Sequence, residues 1–173
     1  MYVFGDGAGA MVLRAGAEDG RGILSSVSGN AHEQLVLRRG GGAELPALSK
    51  DAKPADYAFV VNGHEVASSY PVHMRACLGG VCHNDPDLLK EVKRYYLHQP
   101  NKRVLDRFAA TTGLTAAQVA CNVERYGNTS AAGMLVALSE DVRKGVVKLN
   151  GEDLVCIAAA GANVHYGSQL IRL

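Results

Sequence analysis

Apolar and polar residues first alternate near the start of the chain. Two apolar runs within residues 2–13 flank a glycine-rich turn, which predicts a strand pair or one long bent strand. The alternating sequence GILSSVSG at 22–29 predicts another strand, so the two stretches together predict a hairpin. The run at 40–55 contains three glycines and two prolines, and it indicates a surface loop.

Helices alternate with apolar strands in the middle of the chain. Residues 87–95 predict a short helix, and RYYLH then predicts a strand that ends at His98. The sequence NKRVLDRFAATTGL has apolar residues at helical spacing, and Gly113 marks the end of that helix. Thr115 and Gln118 form a capping-box pattern, which predicts the start of another short helix.

The C-terminal part of the sequence adds one buried helix and two strands. Small residues mix with leucine and valine through 129–144, which predicts a helix that its neighbours pack closely. A turn at 150–151 precedes two apolar strands, DLVCIAAAG and HYGSQLIRL. Strands that alternate with helices indicate a layered α/β fold.

Composition excludes several classes of protein. The 173 residues are about the length of one domain, and 47% apolar with 20% charged residues is typical of a globular protein. The net charge is +1 and basic residues are scattered, so we expect no nucleic-acid partner. The apolar stretches are too short for a membrane span, and the expected location is the cytoplasm.

The cysteines are expected to be reduced thiols, because a chain of this size has its own core. They are Cys77, Cys82, Cys121 and Cys156. His73 and His83 lie near the first two, but the spacing lacks a second pair of zinc ligands. We therefore expect no metal site.

Three loops follow predicted strands, at the position where layered α/β folds bind ligands. They are HQPN (98–101), YGNTSAA (126–132) and AAGANVHYG (159–167). With FGDGAGA and NGHEV, and in this order, they resemble the second half of a β-ketoacyl-(acyl carrier protein) synthase III. This family of condensing enzymes belongs to the thiolase superfamily, and the resemblance spans residues 4–173.

The resemblance implies a five-layered αβαβα fold in which each half contributes a central sheet. Residues 1–30 would be the closing hairpin of the N-terminal half, 31–55 a surface loop and 56–173 the C-terminal half. None of the four cysteines matches the family's nucleophile, so the resemblance implies that an N-terminal half carries it, either on another chain or on a segment not included in this sequence. The complete unit is expected to dimerise and to use no cofactor beyond its acyl-coenzyme A or acyl carrier protein substrates.

The resemblance also assigns a catalytic set. His98 and Asn128 match the family's catalytic histidine and asparagine, which donate hydrogen bonds to a thioester oxygen. The backbone amide of Ala162, beside Gly161, matches a donor of a second oxyanion hole. Asn163 stands where a glycine is common, and this departure affects the geometry of that loop.

Other matched positions concern the substrate tunnel. Arg103 matches an arginine that meets a coenzyme A phosphate or an acidic carrier protein, and a solvated surface charge remains the alternative. Gly63 matches a tunnel-lining position, whereas His64 replaces a common asparagine. Pro100 replaces an alanine and removes one backbone N–H after His98.

Two alternatives to condensation remain open at this point. The fold could transfer an acyl group to an alcohol or amine, in which case His98 would be a general base. The chain could also be a non-catalytic subunit that completes the fold of a condensing enzyme. The presence of both His98 and Asn128 favours an enzyme.

Overall fold

The computed structural model describes residues 4–16, 20–31, 36–37, 45, 49–58, 60–161 and 165–173. Its strands are β1 (Gly22–Asn30), β2 (Val36–Leu37), β3 (Val60–Val61), β4 (Arg94–Leu97), β5 (Leu154–Ala160) and β6 (His165–Arg172). Its helices are α1 (Gly63–Val81), α2 (Pro86–Glu91), α3 (Lys102–Thr112), α4 (Val123–Tyr126) and α5 (Ala132–Arg143). A 3-10 turn spans Pro54–Tyr57. Within these ranges, no helix has both the length and the apolar composition needed to cross a membrane.

A four-stranded mixed sheet with the strand order β1-β6-β5-β4 forms the centre of the fold. Strands β4 and β5 are parallel, whereas β6 is antiparallel to both β5 and β1. An isolated bridge between Tyr95 and Val119 extends the sheet beyond β4. Strands β2 and β3 form a separate two-stranded ribbon.

Two apolar clusters pack on opposite faces of this sheet, because successive strand residues point to opposite sides. The first cluster lies under α1 and α3 and contains Tyr70, Met74, Leu78, Val81, Cys82, Val92, Tyr95, Leu97, Leu105, Phe108, Val119, Leu154, Cys156, Ala158 and Leu170. The second lies under α5 and contains Tyr96, Ala120, Met134, Ala137, Leu138, Val147, Val155 and Ile171. The result is a layered α/β/α arrangement, as the sequence predicts.

Local signals account for the helix that follows β4. The Asn101 side chain accepts a hydrogen bond from the Val104 N–H at 2.9 Å, which caps the N-terminus of α3. The helix ends at Gly113, whose φ of 73° lies in the left-handed region that glycine adopts without strain. Both ends therefore agree with the sequence prediction.

The predicted hairpin between 2–13 and 22–29 is wrong for the described residues. Strand β1 forms, but it pairs with β6, in a register that includes Val27 with Ser168. Residues 4–16 form no strand, and their one bridge joins Phe4 to Asn128. An alternating pattern indicates which face of a strand is buried, but it does not identify the neighbouring strand.

The helix predicted from Thr115 is also wrong. Gln118 does accept hydrogen bonds at 3.1 Å from the N–H and hydroxyl groups of Thr115. The following backbone then pairs with Tyr95 of β4, which donates to the Gln118 carbonyl at 2.7 Å and accepts from the Ala120 N–H at 3.0 Å. Pairing with the sheet edge thus replaces the second turn of a helix.

Much of the predicted surface loop at 31–55 lies outside the described residues. Its described end, residues 49–55, runs into the 3-10 turn, where the Asp56 side chain accepts a hydrogen bond from the Lys53 N–H at 2.9 Å. The boundary between this loop and the unit 56–173 stays a prediction.

One buried polar network joins α5 to β4. Asp141 is 6% exposed, and its Oδ2 accepts hydrogen bonds from Arg94 Nε at 2.7 Å and from the Tyr96 hydroxyl at 3.1 Å. Because α5 precedes β5 and covers β4, this network holds the helix in place against the second cluster.

We expect Asp141→Ala to lower the free energy of unfolding by about 3 kcal/mol, because it leaves buried donors of Arg94 and Tyr96 without an acceptor. Urea denaturation measures this loss. Asp106→Ala is the control, since Asp106 forms an exposed ion pair with Lys102 on α3 and should change stability little. Equal losses in the two variants would contradict the prediction.

Candidate active site

His98 directly follows β4 and is held through its backbone and its ring. Its N–H donates to the Ala158 carbonyl of β5 at 2.8 Å, and its carbonyl accepts from the Tyr70 hydroxyl of α1. Burial lowers the pKa of the His98 imidazole, and a hydrogen bond with the Ser130 backbone acts in the opposite direction. The net effect favours a neutral ring at neutral pH.

Asn128 lies between α4 and α5 and is 8% exposed. Its Oδ1 accepts a hydrogen bond from the Ser130 N–H at 2.9 Å, and its carbonyl accepts from the Gly5 N–H at 2.9 Å. The first bond turns the amide so that its NH₂ group points away from Ser130. Asn128 thus offers a donor, as the catalytic assignment requires.

Ser130 connects the two predicted catalytic residues. Its backbone contacts the His98 ring, while its N–H bonds the Asn128 side chain. Its φ of 55° places it in the left-handed region, which a residue with a Cβ adopts at a cost in free energy. This role could not be predicted from the sequence, since no local pattern marks a serine with positive φ.

Gln99 is a second residue of the candidate site that the sequence patterns did not predict. It is buried, and its Oε1 accepts hydrogen bonds from the Asn122 N–H at 2.9 Å and the Val123 N–H at 3.0 Å. Asn122 in turn donates to the Gly133 carbonyl at 3.0 Å. Gln99 therefore fixes the loop after His98 to the start of α4, and its place within HQPN was the signal available in the sequence.

The glycines of FGDGAGA let this segment lie directly against residues 126–135. A Cβ atom at Gly5 would lie 1.9 Å from the Tyr126 carbonyl oxygen, and one at Gly9 would lie 2.7 Å from Leu135 Cβ. Gly7 lies against Thr129 in the same way, at 3.0 Å. Side chains at these alternate positions would separate the segment from the loop that holds Asn128.

Five other predicted residues lie within the described ranges. Gly63 and His64 are exposed in the first turn of α1, and Arg103 is exposed in the first turn of α3. Pro100 is half-buried beside Gln99. Gly161 is exposed, and its N–H donates to the His165 carbonyl at 2.7 Å. Ala162 and Asn163 lie outside the described residues, so their prediction is untested.

The four cysteines are free, as the sequence predicts. Burial raises the pKa values of Cys77 and Cys82 to about 11, and it raises that of Cys156 as well. A raised pKa keeps a thiol protonated and unreactive, so these three are unsuited to be nucleophiles. Cys121 is exposed. In the part of the chain that the structure describes, no three histidine, cysteine or acidic residues are grouped to bind a metal ion.

We expect Gly5→Ala to lower the urea midpoint by an amount equivalent to about 2 kcal/mol, because the new Cβ forces this segment away from Tyr126. It should also speed hydrogen exchange at the residue 5 amide, which donates to Asn128. Gly16→Ala is the matched control, since no atom lies within 4 Å of a Cβ placed there. An unchanged midpoint for Gly5→Ala would contradict the close approach.

Residues 88–173 match the family described as 3-oxoacyl-[acyl-carrier-protein] synthase III C terminal. The chain is 32% identical over 169 residues to β-ketoacyl-[acyl-carrier-protein] synthase III 5 of Streptomyces coelicolor, covering 96% of this chain and 50% of that protein. It is 34% identical over 172 residues to the synthase III of Acidiphilium cryptum, covering 98% of this chain and 51% of that protein.

Solved structures agree with this relationship. The synthase III of Pseudomonas aeruginosa PAO1 superimposes with a TM-score of 0.73 at 26% identity, covering 92% of this chain and 47% of that one. The synthase III of Aquifex aeolicus VF5 superimposes with a TM-score of 0.68 at 26% identity, covering 91% of this chain and 46% of that one. The chain thus spans about half the length of the relatives it matches, and it belongs to the 3-oxoacyl-[acyl-carrier-protein] synthase III family as the counterpart of the C-terminal half.

Proposed function

We propose that the chain forms the oxyanion-binding half of a condensing acyltransferase that joins an acyl thioester to a malonyl thioester. His98 and Asn128 supply side-chain hydrogen-bond donors, and a second half supplies the nucleophilic cysteine. The observation that carries this proposal is the connection of His98 and Asn128 through the backbone of Ser130. Membership of the synthase III family supports it.

The first step is transfer of the acyl group to the cysteine of the other half. The cysteine sulfur attacks the thioester carbonyl, the oxygen becomes negatively charged, and the departing thiolate leaves when the carbonyl re-forms. Backbone amides stabilise such an oxyanion, and the Ala162 amide beside Gly161 is our candidate for one of them. The raised pKa values of this chain's buried thiols support placing the nucleophile elsewhere.

The second step forms the carbon–carbon bond. The malonyl thioester loses carbon dioxide, and the electron pair of the broken bond moves onto the thioester as an enolate. Donors from His98 and Asn128 stabilise the enolate oxygen. A neutral imidazole has one N–H, which in this step exchanges its bond with the Ser130 backbone for one with the enolate oxygen and adds no buried charge. The enolate carbon attacks the acyl group on the cysteine, and the cysteine thiolate is released with the 3-oxoacyl product.

An exposed apolar surface supports the proposed partner half. Val12 is 95% exposed and Leu13 is 68% exposed, and the segment 10–16 lines a groove with Leu135 and Leu138 of α5. Contiguous apolar surface of this kind marks an interface. The proposed occupant is the half that carries the cysteine, which accounts for the remaining length of the relatives.

The proposed substrates are thioesters of coenzyme A or acyl carrier protein, and the chemistry requires no further cofactor. Gly63, His64 and Pro100 are proposed to line the entry for the thioester arm. The exposed Arg103 is proposed to bind a phosphate or an acidic carrier protein. We further propose that the complete unit dimerises and acts in the cytoplasm.

The test uses this chain assembled with the polypeptide that carries the cysteine. We expect His98→Ala and Asn128→Ala each to lower kcat for condensation by about 10²- to 10³-fold, because each removes a donor to the enolate oxygen. Release of carbon dioxide from a malonyl thioester measures the reaction. Co-purification of the two polypeptides should be unchanged.

The control is His83→Asn, a change at an exposed histidine with φ of 54°, a conformation that asparagine tolerates. It should leave kcat unchanged. Normal condensation by His98→Ala would instead assign the chain a structural role. Acyl transfer to an alcohol or amine without carbon dioxide release, lost in His98→Ala, would instead assign His98 the role of general base in ester or amide formation.

A further inference from the structure

Tyr70 of α1 contacts His98 although 28 positions separate them in the sequence. The Tyr70 hydroxyl donates to the His98 carbonyl, and the two rings are tilted by 55° with their centroids 6.3 Å apart. Tyr70 also packs edge-on against the buried Phe108 of α3, at 6.3 Å between ring centroids. The phenol is therefore fixed between α3 and the residue that follows β4.

The His98 carbonyl lies beyond the last paired residues of the sheet. The parallel register of β4 and β5 ends where Leu97 pairs with Ala158, and the His98 N–H makes the following bond to the Ala158 carbonyl. The His98 carbonyl thus accepts its hydrogen bond from the side chain of Tyr70 on α1 and not from a neighbouring strand. Burial raises the pKa of Tyr70, so the phenol remains a donor throughout the neutral range.

We propose that Tyr70 is a positioning residue for His98, holding its carbonyl through the hydroxyl and bounding one side of its imidazole with the ring. The two peptide units that flank the His98 Cα are thus both fixed, the preceding one by the N–H bond to β5 and the following one by the carbonyl bond to α1. The imidazole is then held beside the Ser130 backbone, within reach of the thioester oxygen. This inference rests on the proposed catalytic role of His98.

Tyr70→Phe tests it in the assembled enzyme, because the change keeps the ring and removes the hydroxyl. We expect kcat to fall about tenfold, with KM for the acyl thioester unchanged, since a misplaced catalytic group slows the chemical step without weakening substrate binding. The His98 side-chain NMR resonances should also shift in the isolated chain.

Tyr95→Phe is the matched control. Tyr95 is another buried tyrosine of the first cluster, and its hydroxyl donates to the Leu89 carbonyl. Tyr95→Phe loses the same kind of hydrogen bond as Tyr70→Phe, so the urea midpoints of the two variants should fall to a similar extent. The kcat and the His98 resonances of Tyr95→Phe should nevertheless equal those of the wild type.

Unchanged kcat in Tyr70→Phe, or equal losses of kcat in both variants, would overturn the positioning role. If the wild-type assembly does not condense thioesters, the proposed function fails, and the His98 resonances decide the positioning role by themselves. A shift confined to Tyr70→Phe supports it. Identical resonances in wild type and Tyr70→Phe overturn it.

Discussion

The backbone of Ser130 is the contact on which the candidate site depends. Its left-handed conformation directs its N–H to the Asn128 amide while its backbone also meets the His98 ring. His98 comes from the end of β4, whereas Asn128 comes from the loop before α5. One residue therefore joins two separate elements of the candidate site, and the packing of α5 on the sheet maintains this contact.

Other contacts of the fold hold His98 and Asn128 on either side of Ser130. Gln99 fixes the backbone after His98 to the start of α4, and Asn122 continues the connection to Gly133 in α5. The glycine segment holds the Asn128 loop from the other side through the Gly5 N–H. Polar groups that are buried and fully bonded resist displacement, because each broken bond leaves a desolvated group. The described part of the fold thus holds His98 and Asn128 in place by itself.

Local patterns in the sequence identify most elements, whereas the resemblance of the loop motifs to a known family assigns both candidate catalytic residues. The helix at α3, its cap at Gly113 and the strand before His98 follow from spacing and end signals. What local patterns do not contain is pairing between distant segments. The pairing of β1 with β6, the edge pairing after Gln118 and the contact between Tyr70 and His98 all join residues far apart in sequence. The positive φ of Ser130 is likewise imposed by its tertiary contacts, since serine has no preference for it.

The central claim is that this chain supplies donors and that the nucleophile lies outside it. Intact-mass spectrometry of the assembled protein, denatured after incubation with an acyl-coenzyme A, tests this most directly. The account predicts that the acyl mass appears on the polypeptide that carries the proposed cysteine, and that this chain keeps its unmodified mass. An acyl group on this chain, mapped to one of its own four cysteines, would contradict it.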